Sequence, residues 1–348
     1  MRLSAGKSLT GVDIEPGYVA AVQARPGGVA VERAAGAPLA DGVVRDGEVA
    51  DVDSLAATLK ALFTEHKLSK NVRVGLANQR IVMRTIDLPP VTDPKQLASI
   101  VRFQAQDHIP MPLDQAVLEH HVVGSVETPD GERTRVVLVA ARRDMVARLV
   151  EALRRAGLRP QGVDLSAFAM IRALHRPARS GPTLYLSVSG MTNLAVAEGP
   201  TCVFTRTLPL GVEALATEVA ERQGLTLEHA HGWLRHVGLL TPLEEVDGDE
   251  AIVLAAREVL NDGLRRLADE VRTTIDFHRA QSGTEPVDAV VLTGSATALA
   301  GFGDALGAEL GLPVEVGAAA EARPGAFGDV DPGRLTIAAG LTVEEVVA

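Results

Sequence analysis

The chain is poor in the features that mark several common protein classes. It has one cysteine, Cys202, so no internal disulfide can form and nothing points to an oxidising compartment. No apolar run approaches the ~20 residues that a bilayer span requires. The N-terminus lacks the basic-then-apolar layout of a secretory signal. Positive charge is in deficit: the formal net charge is −11, which argues against a sequence-independent nucleic-acid surface and against direct adhesion to, or insertion into, an anionic membrane. No lysine follows Lys95. There is no GxxxxGK[ST] loop and no GxSxG elbow; Ser187-Val188-Ser189-Gly190 is not one. The pairs His120/His121 and His229/His231 have no cysteine or carboxylate at ligand spacing. These absences lead to an expectation of a cytoplasmic protein with no metal centre and no hydrolytic triad.

Strand-turn alternation dominates what is present. Leu184–Val188, Leu194–Ala197 and Cys202–Leu208 read as three short strands joined by the turns Ser189-Gly190-Met191-Thr192-Asn193 and Glu198-Gly199-Pro200. The N-terminus repeats the pattern: Leu9–Ile14, a turn at Glu15-Pro16-Gly17, Tyr18–Ala24, a turn at Pro26-Gly27-Gly28, and Val29–Ala34. Two β-meanders half a chain apart imply an internal duplication, with one turn from each half facing a shared cleft. At 348 residues, of which 46% are hydrophobic, the chain is long enough for two or more domains.

Between Val91 and Leu158 the pattern changes. Asp93 and Pro94 form a helix start, and the helix runs to His108, where Pro110 and Pro112 stop it. Strands at Ala116–Gly124 and Thr134–Ala141 and a helix at Arg142–Ala156 follow, closed by Gly157. This stretch reads as an inserted subdomain. Its acids and bases balance, so it presents a neutral face on an acidic protein, which suits either docking of a partner segment or an ordinary solvated, arginine-rich helix surface. Ile109-Pro110-Met111-Pro112-Leu113 is apolar and rigid, which suits either a groove lining for an extended tail or a hinge between subdomains. Met111 can adapt to shape, and Arg102 can hydrogen-bond the tail's carbonyls or an acidic residue. After Gly211 the chain turns helical, with a long helix expected over Asp249–Gln281, a strand at Asp288–Leu292, and a closing helix at Leu335–Leu341 before Glu344-Glu345. Gly301-Phe302-Gly303-Asp304-Ala305-Leu306-Gly307 only approximates GxGxxG and opens a helix, which makes it a packing feature.

The run Val101-Arg102-Phe103-Gln104-Ala105-Gln106-Asp107-His108-Ile109-Pro110-Met111-Pro112-Leu113-Asp114, followed by Val117-Leu118-Glu119, resembles the inserted subdomain of the PilM family of type IV pilus assembly. Phe204-Thr205-Arg206, Glu270-Val271-Arg272-Thr273-Thr274-Ile275-Asp276-Phe277-His278 and Val290-Val291-Leu292-Thr293-Gly294-Ser295 continue the resemblance in the second half. It implies a mixed α/β, actin-like fold: two RNase-H-like halves around a nucleotide cleft, with an insert of the type seen in the division protein FtsA. The halves would comprise residues 1–90 with 159–182, and 183–348; the insert would be 91–158. It further implies a cytoplasmic adaptor that binds the short N-terminal tail of a bitopic PilN-like membrane protein, beside other platform proteins, and so lies at the inner membrane through that partner. Rivals on the same fold are a working ATPase or sugar-kinase relative and a division scaffold.

The nucleotide site carries over with changes. The family's first phosphate loop, Asp-x-Gly followed by a lysine, finds Asp13 here, with Gly17 nearby, but Glu15 at the glycine and Ala20 at the lysine. The second loop keeps Gly190, Thr192 and Asn193, with Ser187 in place of its aspartate. Gly294-Ser295 and Glu270 match the adenosine side. A carboxylate at position 15 brings negative charge toward the phosphates and removes the close backbone approach that glycine allows. ATP with magnesium is therefore expected to bind weakly at best.

Overall fold

The computed structural model describes residues 8–24, 28–91, 93–129, 131–179, 181–280 and 285–343. The turn read at Pro26-Gly27 and the acidic end Glu344-Glu345 lie outside the described residues, as do Asp130 and Gln281. The N-terminal alternation folds as read: β1 (Thr10–Glu15), β2 (Tyr18–Ala24) and β3 (Val31–Pro38) form an antiparallel meander. A small hairpin, β4 (Val44–Arg45) with β5 (Glu48–Val49), leads to helix α1 (Val52–Glu65). Asp51 caps that helix by accepting from the Asp53 and Ser54 amides. Strand β6 (Asn71–Leu76) then pairs parallel to β1.

The chain next builds a separate small sheet. β7 (Val82–Leu88) pairs with β9 (Gly131–Arg142), and β9 with β8 (Ala116–Thr128), all antiparallel. Helix α2 (Pro94–His108) starts as the sequence predicts: Asp93 accepts from the Lys95 amide at 3.0 Å, and Pro94 occupies the first turn. It packs Leu97, Val101 and Ala105 against Ile86, Leu88, Val136, Leu138 and Ala140. Helix α3 (Arg143–Arg155) returns the chain to the first sheet, where β10 (Arg159–Leu165) pairs parallel to β6.

After helix α4 (Ser166–Leu174) the first sheet's pattern repeats. β11 (Pro182–Val188), β12 (Thr192–Glu198) and β13 (Thr201–Leu208) form a second meander. Helices α5 (Val212–Gln223), α6 (Leu227–Val237) and α7 (Glu250–Arg279) follow, then β14 (Ala289–Thr293), helix α8 (Phe302–Leu310), β15 (Val314–Val316) and helix α9 (Thr336–Gly340). β14 pairs parallel to β11 and β15 parallel to β14. The two sheets read β10-β6-β1-β2-β3 and β15-β14-β11-β12-β13, the same order twice. The expected duplication is thus present strand for strand.

Each sheet is covered on both faces. In β2, Val19 and Ala21 join the core with Leu55, Leu59 and Phe63 of α1, while Ala20 and Val22 meet Leu335, Ala338 and Ala339 around α9. In β11, Leu184, Leu186 and Val188 pack with α5 to α7, while Tyr185 packs with α4. That two-sided burial follows the period-2 alternation of strand side chains. Helices α4 and α9 form the inner layer between the sheets. They approach so closely that a methyl group on Gly340 would overlap the Ala169 carbonyl, so glycine is required there.

Candidate functional site

The duplicated topology brings three turns together between the sheets. The β1–β2 turn carries Glu15 and Gly17, the β11–β12 turn carries Ser189 and Gly190, and the turn after β14 carries Gly294 and Ser295. They touch one another. A methyl group on Gly190 would overlap the Pro16 carbonyl oxygen. The Gly190 amide donates to Glu15 Oε2 at 2.9 Å, and Arg334 donates to Glu15 Oε1 at 3.0 Å. Both side chains are largely buried, Glu15 14% and Arg334 10% exposed. The guanidinium also lies 4.2 Å above the Tyr18 ring. Arg334 is held by a short 3-10 turn, Pro332–Leu335, capped where Asp331 accepts from the Gly333 amide at 2.8 Å.

Hydroxyl contacts close the rest. The Ser295 amide donates to Ser189 Oγ at 2.9 Å. The Thr293 and Thr336 hydroxyls share a hydrogen bond at 2.7 Å, and Thr293 also donates to the Gly333 carbonyl at 3.3 Å. Glu213 of α5 sits against Gly17 and pairs with His231 Nε2 at 2.9 Å. Asp13 lies two residues before Glu15 on the same face of β1, where Ser166 Oγ donates to it at 3.4 Å. Burial, reinforced by the neighbouring Glu15, pushes the Asp13 carboxyl up to about 8. Burial also raises Glu15, while Arg334 and the Gly190 amide pull it back. The two acids sit on one buried face, and Arg334, paired with Glu15, is the cation beside them.

The sequence-read residues fall into two sets. Asp13, Gly17, Ser187, Gly190, Thr192, Asn193, Gly294 and Ser295 gather along this seam. Ser187 is buried in β11 between Asn193 and Thr293 of the adjacent strands. Thr192 donates to the Leu210 carbonyl at 2.6 Å, and Asn193 accepts from Thr207 at 3.3 Å. Glu270 instead forms an ion pair with Arg206 of β13 at 2.9 Å on a half-exposed surface. Arg334, Tyr18 and Glu213 belong to the seam and have no local signature in the sequence. Among the described residues, no group of three or more His, Cys, Asp or Glu is placed to hold a metal ion.

These residues fit a nucleotide's phosphates poorly. The Gly190 amide and Arg334, the donors an anion would use, are both committed to Glu15. The turns that would flank a phosphate are in direct contact. The expected outcome is that millimolar Mg-ATP leaves the melting temperature of the full chain unchanged. A ligand at a hundred times its Kd would add about 2.7 kcal/mol, so thermal denaturation would detect an open site readily.

On the small sheet, the docking residues read from the sequence differ in exposure. Arg102 is exposed on α2, beside Phe103, which is 66% exposed. Met111 and Leu113 are half-buried against the small core. Ile109 is 5% exposed and sits inside that core, so it supports the segment instead of lining a groove.

Two like-ordered sheets with helices on both faces and a central seam define the actin-like ATPase fold. Solved structures of that class superpose along nearly the whole chain. One is an MreB protein of Spiroplasma citri bound to ADP, with TM-score 0.54 and 12% identity, covering 96% of this chain and 94% of that one. Another is the ethanolamine utilization protein EutJ from Carboxydothermus hydrogenoformans, with TM-score 0.56 and 16% identity over 97% and 89%. A PilM–PilN type IV pilus biogenesis complex matches more strongly, with TM-score 0.78 and 26% identity over 96% of this chain and 97% of that one. The family model of the type IV pilus assembly protein PilM matches residues 11–323. The chain belongs to the PilM family.

Proposed function

We propose that the chain is a cytoplasmic adaptor of the inner-membrane platform of a type IV pilus or related machine. It binds the short N-terminal tail of a PilN-like membrane protein and works without ATP turnover. The observation that carries this reading is the likeness to the PilM–PilN complex along nearly the whole chain. Membrane association runs through the partner: among the described residues, no helix is long and apolar enough to cross a bilayer. We assign residues 1–90 with 159–182 to the first half, 183–348 to the second, and 91–158 to the docking insert, although its last helix, α3, packs into the core of the first half. Because β7 pairs with β9, the insert's sheet draws its first strand from Val82–Leu88, ahead of Val91.

The tail docks on the α2 surface and the segment after it, with Arg102, Met111 and Leu113 in contact and Ile109 beneath. A synthetic peptide of the cognate PilN-like N-terminal tail is expected to bind with micromolar or tighter affinity in isothermal titration. Arg102→Ala with Met111→Asp is expected to weaken it at least tenfold, which is about 1.4 kcal/mol. Undiminished affinity in a folded double variant would move docking elsewhere and leave Ile109 to Leu113 as a hinge. No binding by the wild-type chain would overturn the adaptor reading itself.

A further inference from the structure

We infer that the Gly190 amide and the Arg334 guanidinium form an internal anion site, and that the Glu15 carboxylate is its tethered ligand, latching the two halves together in place of a diffusible oxyanion. A backbone N–H in a glycine turn and an arginine converging on one point are the donor set that proteins use for small oxyanions. Here they come from places far apart in sequence. Gly190 belongs to the second meander, Arg334 to the segment before α9, and Glu15 to the first meander. Each carboxylate oxygen takes one donor, at 2.9 and 3.0 Å, and both side chains are at least 86% buried.

The surroundings favour a tethered monoanion over a free polyanion. The Glu213 carboxylate sits against Gly17 in the same turn, so an anion entering from solvent meets a further acid. A ligand carried on the chain also avoids the loss of translational freedom that a free one incurs. The rest of the seam is zipped by neutral hydroxyls, Ser189 to the Ser295 amide and Thr293 to Thr336. The Glu15 carboxylate is therefore the charged bridge from the first meander to both other segments. The inference concerns closure of the halves and holds whichever protein docks on the insert.

Chemical rescue of the full chain tests it. Glu15→Ala removes one methylene and the carboxylate, which acetate restores. Thermal melting is followed in sodium acetate from zero to 100 mM against sodium chloride at equal ionic strength. Glu15→Ala is expected to melt below wild type in chloride and to gain roughly 2 °C in acetate, the shift for a ligand near ten times its Kd. Wild type and Glu15→Gln, whose site stays filled, are expected to show no acetate-specific gain, and adding Arg334→Ala to Glu15→Ala is expected to abolish it. If Glu15→Ala does not fold in chloride, the readout becomes its refolding yield, with native circular dichroism recovered in acetate only. A folded Glu15→Ala that responds to acetate no more than wild type does, or an unfolded one that acetate fails to recover, overturns the inference and leaves Glu15 an ordinary ion-pair partner.

Discussion

Arg334→Ala is expected to destabilise the protein by about 3–5 kcal/mol, because it strands a buried carboxylate without its cation. Glu15 is 14% exposed and would keep only the Gly190 amide as a donor. The Tyr18 ring would lose the guanidinium stacked 4.2 Å above it. The loss comes from the uncompensated charge rather than from any large net value of the intact pair, so removing both charges should cost less than removing one. Glu15→Gln with Arg334→Met is accordingly expected to recover part of the stability lost in Arg334→Ala, as measured by urea denaturation at neutral pH. Arg80→Ala serves as the control. Its ion pair with Glu48 has side chains 62% and 30% exposed, and such pairs contribute at most about 1 kcal/mol. Equal losses in Arg334→Ala and Arg80→Ala would show the buried pair to be unimportant.

Asp13→Asn is expected to stabilise the protein above pH 8 by about 2–5 kcal/mol relative to wild type, and much less near pH 5. Asp13 titrates near its ordinary value of 3.8 in the unfolded chain and at about 8 in the native one. Between those values the native state holds a proton that the unfolded chain has released. The stability this group contributes is therefore complete below pH 3.8 and is lost as pH rises through about 8, where a second charge forms beside Glu15. Asparagine cannot ionise, so the variant's profile should be flatter. His175 does not confuse the comparison: burial lowers its pKa below 6.5, so its titration is finished before pH 8. Parallel profiles for the two proteins between pH 5 and 9 would contradict the assignment.

The elements legible in the sequence were those whose signal is local. The meanders showed because alternation and glycine-bearing turns are read within a few residues. Helix α2 showed because Asp93, Pro94 and the two following prolines punctuate it. β10, Arg-Pro-Gln-Gly-Val-Asp-Leu, has no such signal; pairing with β6 makes it a strand, and its own residues carry both Pro and Gly. Helix α4 is nine residues without a side-chain cap, held by packing between the sheets. The site divided in the same way. Asp13, Gly190 and Ser295 were found because turns could be matched. The Glu15–Arg334 pair spans 319 residues, and no local pattern announces it. Glu15 was read as a charge that would repel phosphate, and the fold shows that charge met by the Gly190 amide of the second meander and by Arg334. Glu270 fitted a motif, yet its carboxylate is taken by Arg206.

If the seam is closed by its own side chains, partner capture should be indifferent to nucleotide. The direct measurement is titration calorimetry of the PilN-like tail peptide into the wild-type chain, with and without 5 mM Mg-ATP. The expected result is micromolar or tighter binding with the same Kd in both conditions. Binding that appears only with Mg-ATP, or tightens tenfold in its presence, would mean that the cleft opens to nucleotide and that the protein is a nucleotide-gated adaptor.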